Sequence, residues 1–144
     1  MSKKNVDINK TKVMIFGTFD GLHEGHLSLF KQARKLTKDG ILIASIARDK
    51  NVIKIKGKRP ILNDKERLGL VRKAGLIDKV VLSGIKDHIA HIVKENPNII
   101  ALGYDQKAYT KNLKKDLKNR GILVKIVRLK PYKENIYKNH LLRK

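Results

Sequence analysis

Residues 13–26, VMIFGTFDGLHEGH, join an apolar run to a glycine-punctuated turn and then to the start of an amphipathic stretch. Val13, Met14, Ile15 and Phe16 end at Gly17, with Gly21 close behind, the pattern of a buried strand closing in a loop. Beyond it Leu29, Phe30, Ala33 and Leu36 recur at helical spacing, which puts His26 in the first turn of a helix. A helix start leaves backbone N–H groups unpaired and carries partial positive charge, so it attracts anions. Gly25 brings no Cβ to keep a ligand from the backbone there. With His23 and His26 as donors from two sides of the turn, the stretch predicts a phosphate cradle.

The rest of the chain repeats the strand-then-helix order. Residues 41–47, ILIASIA, form a near-continuous apolar run of the kind found in strands covered on both faces. Residues 54–60, KIKGKRP, read as a basic loop. Asn63 and Glu66 stand three apart, as in a capping box, and Leu68, Val71 and Ala74 carry a helix on to about Gly75. Residues 79–83 give a third strand. A short helix over residues 87–95 turns Ile89, Ile92 and Val93 inward and stops before Pro97. Its His88 and His91 have a metal-ligand spacing, but two ligands do not make a site and no third candidate lies nearby, so no metal centre is expected. Residues 98–102 give a fourth strand, Leu113 and Leu117 mark a helix ending before Gly121, and residues 122–129 supply a fifth strand. Five strands alternating with four helices predict an α/β fold, a Rossmann-like doubly wound parallel sheet with right-handed crossovers. Ligands of such sheets bind beyond the carboxyl ends of the strands, where the winding reverses.

Composition narrows the class. The 144 residues are 41% hydrophobic, enough for one core. Residues 1–11 are expected to be a basic N-terminal extension and residues 12–144 a single domain. With no cysteine, disulfides, thiolate metal sites and cysteine nucleophiles are excluded. No apolar run is long enough to cross a bilayer and the start has no apolar core of a signal peptide, so a cytoplasmic protein is expected. The formal charge of +21 favours polyanionic partners, and residues 107–144 hold 13 basic residues against Asp116 and Glu134. Yet 26 lysines accompany only eight arginines, and seven aromatics are scattered. Base-edge readout leans on arginine and single strands on stacking platforms, so specific nucleic-acid recognition is not expected.

The motif GTFDGLHEGH, set after a strand and before a helix, resembles the nucleotidyltransferase superfamily that carries a His-x-Gly-His signature after its first strand. LGYDQ at residues 102–106 looks most like archaeal FAD synthases. The resemblance implies a strand order of 3-2-1-4-5, which brings the turn at residues 17–26 to face the turn at residues 103–106. It implies catalytic roles for His23, His26, Lys56 and Arg67. It implies nucleotide contacts from Gly17, Thr18, Phe19, Asp20, Gly25, Gly103 and Asp105, and phosphate or acceptor contacts from Lys54, Arg59, Tyr132 and Tyr137. Where relatives carry paired hydroxyls late in the chain, this sequence has Asn139 and His140, both able to donate hydrogen bonds.

The activity so implied moves AMP from ATP to FMN, giving FAD and pyrophosphate, with Mg²⁺ arriving on the triphosphate and no resident metal. A homodimer is common among such relatives. Two other readings stay open: a cytidylyltransferase using CTP and a polyol or amino-alcohol phosphate, and an idle Rossmann-like domain that binds nucleic acid through its basic C-terminal third.

Overall fold

The computed structural model describes residues 10–84, 87–104, 106 and 112–131. Within them the elements follow as β1 (Lys12–Gly17), α1 (Glu24–Lys35), β2 (Ile41–Ile46), α2 (Asp49–Lys56), α3 (Asp64–Lys73), β3 (Lys79–Leu82), α4 (His88–Glu95), β4 (Ile99–Leu102), α5 (Leu113–Asn119) and β5 (Lys125–Arg128). All strand pairs are parallel, in the order β3-β2-β1-β4-β5. The expected strand order is therefore the observed one, with the winding reversing between β1 and β4.

Alternation along β1 builds two cores. Val13 and Ile15 point to one face and pack with Phe30 and Ala33 of α1 and Val71 of α3. Met14 and Phe16 point to the other and pack with Ile92 of α4 and Leu113 and Leu117 of α5. Because side chains alternate across a strand, a run apolar at every position needs helices on both faces. The central pairing of Met14 with Ile43 and of Met14 with Ile100 holds β1 between two neighbours. Asn98 fixes the start of that arrangement, donating its amide to the carbonyl of Lys12 and accepting the amide of Lys12 on Oδ1 at 2.8 Å.

One expectation about the elements is corrected. Residues 54–56 do not belong to a loop: they close α2, and only residues 57–60 of the basic segment are non-helical. Asp49 in its first turn and Lys54 and Lys56 in its last suit the helix dipole, and Gly57 ends it at φ 77°. Val52 is the only buried residue of α2, while Ile53 and Ile55 are exposed. Without an apolar stripe, no helical period shows in the sequence. The described fold thus has five helices where four were expected. None is long and apolar enough to cross a membrane.

Candidate active site

β1 delivers its carboxyl end to the switch point, and the turn that follows is shaped by its own side chains. Phe19 adopts φ 53° and folds its ring back under the loop, 4% exposed, with ring centroids 5.4 Å from both Phe30 and His26. A Cβ on Gly17 would lie 2.5 Å from that ring, so Gly17 is required by an internal contact. The ring of Phe19, a residue expected at the nucleotide, forms the floor of the turn.

The two histidines form a capping box at the start of α1. His23 is the N-cap and its Nδ1 accepts the amide of Gly25 at 3.0 Å; Nδ1 of His26 accepts the amide of His23 at 3.3 Å. The rings stack with centroids 3.9 Å apart and planes at 26°. A neutral imidazole whose Nδ1 accepts must carry its proton on Nε2. Both rings are thereby set as Nε2 donors beside a helix N-terminus, the arrangement an anion requires. A Cβ on Gly25 would come within 2.7 Å of Cε1 of His23. Gly25 thus makes room for the histidine ring, where the sequence suggested room for the ligand.

Asp20 and Arg67 tie this turn to the basic segment. The Asp20 carboxylate accepts the amides of Leu62 at 2.7 Å and Ile61 at 2.6 Å. These two bonds, with lesser help from the Arg67 and Lys56 cations, hold its carboxyl below the usual aspartate range. The Arg67 guanidinium is completely buried. It donates from Nε to the carbonyl of Leu62 (3.0 Å), from Nη1 to that of Thr18 (2.8 Å) and from Nη2 to Asp49 Oδ1 (2.7 Å). Arg67 was expected to hold phosphate. Its three nitrogens are directed at two loop carbonyls and a carboxylate, so it ties the turn after β1 to α2 and to the loop before α3. Lys54, Lys56 and Arg59 are exposed on the last turn of α2 and the connection beyond it.

The opposite wall begins at the end of β4. The amide of Gly103 donates to Gln106 Oε1 at 2.8 Å, and Gln106 Nε2 donates to the carbonyl of Phe16 at 2.9 Å. Arg128 Nη1 donates to the carbonyl of Gly103 at 2.8 Å. Gln106, which the sequence reading left out of the site, staples β1 to β4 across the switch point; its one signal was a polar residue just past a strand end. Asp105, Tyr132, Tyr137, Asn139 and His140 lie outside the described residues.

His88 and His91 do not converge. His91 Nε2 lies 2.8 Å from Ser45 Oγ, whereas the His88 ring packs on Phe16 at 5.4 Å. Burial pushes both imidazoles below the usual histidine value. Among the described residues no group of three or more His, Cys, Asp or Glu is placed to hold a metal ion.

Residues 14–141 match the cytidylyltransferase-like family. An FAD synthase of Korarchaeum cryptofilum is 44% identical over 119 residues, covering 82% of this chain and 80% of the relative. An FAD synthase of Methanosarcina barkeri is 39% identical over 124 residues, covering 86% of each. Among solved structures, the lipopolysaccharide core biosynthesis protein from Thermoplasma volcanium superposes with a TM-score of 0.78 at 36% identity, covering 85% of this chain and 98% of that one.

Proposed function

The chain belongs to the cytidylyltransferase-like family, and from that premise we propose that it is an FAD synthase, transferring AMP from ATP to FMN with release of pyrophosphate. The observation that carries the chemistry is the stacked His23 and His26 pair with both Nε2 protons set as donors at the start of α1. The acceptor is suggested by relatives named FAD synthase, which match most of the chain.

In this reading an oxygen of the FMN phosphate attacks the α-phosphorus of ATP in line. A new P–O bond forms as the bond to the bridging oxygen breaks, and pyrophosphate leaves with that electron pair. No covalent enzyme intermediate is needed. Catalysis rests on positioning and on charge stabilisation by fixed donors. His23 and His26 donate to phosphate oxygens as negative charge builds. Lys54, Lys56 and Arg59 are the exposed cations for the departing pyrophosphate, while Asp20 and Arg67 hold the two loops in register. Mg²⁺ enters this reading on the triphosphate, where it would neutralise charge.

The deciding assay measures pyrophosphate release with Mg²⁺, crossing ATP or CTP against FMN, glycerol 3-phosphate and buffer. Release only with ATP and FMN, with FAD in the product, is expected. Release with CTP and a polyol phosphate would move the chain to the cytidylyltransferase reading. Salt-sensitive nucleic-acid binding with no release under any pairing would replace it with the binding-domain reading.

A further inference from the structure

Beside the switch point lies a cleft that none of the assigned residues line. It opens between the end of β3 and α4, with a volume of about 440 Å³, within the range of small-molecule sites. Val81 and Ala90 supply apolar wall, and Arg48, His91 and Lys94 supply polar groups; Leu82 packs into the core on the other face of the sheet. The close approach of β3 to α4 depends on Gly84, where a Cβ would meet the Asp87 carbonyl oxygen and His91 Cβ at 3.0 Å.

The charges of the cleft are not balanced internally. Its two carboxylates are paired elsewhere, Asp87 with Arg120 at 2.9 Å and Glu95 with Lys79 at 2.9 Å. Arg48 is anchored through Nε, which donates to the Ser83 carbonyl at 2.6 Å. Among the described residues neither Arg48 nor Lys94 has an ion-pair partner. The cleft therefore joins an apolar wall to two cationic donors, and His91 is locked toward Ser45 beside them.

Its position matters as much as its chemistry. Neighbouring strands lie about 4.8 Å apart, so a site over β2 and β3 is roughly 10 Å along the sheet edge from one centred between β1 and β4. The first turn of α4 spans that interval, because His88 packs on Phe16 at the end of β1. A ligand reaching from the phosphate cradle into the cleft needs a phosphate at one end, a polar linker, and a flat apolar group edged with hydrogen-bond acceptors at the other. FMN has that form: phosphate, ribityl chain, and an isoalloxazine whose pyrimidine edge presents two carbonyl oxygens. Adenine offers single ring nitrogens as acceptors and no pair of carbonyl oxygens, so it matches two cationic donors less fully.

Resting on the FAD-synthase reading, we propose that the cleft between β3 and α4 is the isoalloxazine subsite, with Arg48 and Lys94 as donors to the carbonyl edge and Ala90 facing the ring. The test compares wild type, Lys94→Glu and Ala90→Trp in FAD formation at saturating ATP and varied FMN, with melting temperatures recorded. Lys94 and Ala90 are both exposed, and among the described residues neither makes a side-chain bond, so neither change removes a described fold contact. The expected result is a KM for FMN raised about tenfold or more, the scale of a lost hydrogen bond to a charged group, with KM for ATP and melting temperature unchanged. Wild-type FAD formation with both variants keeping the wild-type KM for FMN overturns the subsite and leaves the activity standing. A rise in KM for ATP in place of FMN assigns the cleft to the nucleotide and also overturns it. No FAD from the wild type removes the activity, and the subsite with it.

Discussion

At the scale of single residues, the site is made by side chains that turn back onto backbone. His23 and His26 each use Nδ1 to accept a backbone amide, which leaves Nε2 to donate. His26→Ala should lower kcat by ~100-fold, the usual cost of one preorganised donor. Its effect on folding should stay near ~1 kcal/mol, the worth of a cap contact, as read by thermal melting; a folded variant with wild-type turnover would remove His26 from catalysis. Arg67 makes the opposite case. Arg67→Met leaves Asp49 without its cation and the Thr18 and Leu62 carbonyls without a donor. With Asp49 partly open to solvent, the loss is that of two loop carbonyls left without a donor, roughly 1–3 kcal/mol, to be measured by urea denaturation. A loss confined to pyrophosphate affinity, at wild-type stability, would return Arg67 to the role of phosphate ligand. The sequence could not separate these roles, because a cation beside an anion site reads the same whether it faces ligand or carbonyl.

Between elements, the decisive link is the carboxylate of Asp20, which holds residues 61 and 62 against the turn after β1. Its pKa is lowered in the fold from the ordinary 3.8, so the native state favours the ionised form. That contribution is complete above the ordinary value and disappears as pH falls from about 3.8 through the lower folded value. Asp20→Asn should therefore be less stable than wild type at neutral pH, with the difference shrinking through that acid window in parallel urea titrations. A difference independent of pH would mean the charge contributes nothing to the link. The helix that carries Lys54 and Lys56 was missed for a related reason. It is fastened through Val52, Asp49 and a left-handed Gly57 instead of an apolar stripe, and periodicity detects only the stripe.

For the whole molecule, a charge of +21 sets the conditions under which the site works. Exposed cations act through solvent and are screened over about 10 Å at 0.1 M salt. Raising salt from about 0.05 to about 0.3 M should therefore increase KM for ATP several-fold and leave kcat nearly unchanged. A salt-independent KM would show that the lysine surface does not help gather the triphosphate. The sequence by itself determined the parallel strands, the two-faced core and a turn after β1 that runs straight into a helix start. Those follow from local signals: unbroken apolar runs, helical spacing after His26, and glycines at the turn. Tertiary structure decided what each polar residue faces. Phe19 became a floor and Arg67 a buried clamp. Gln106 became a staple across the switch point, and the cleft beside α4 emerged from Gly84 meeting the helix. Contacts over such separations depend on which strands become neighbours, and spacing along one chain carries no record of direction in space.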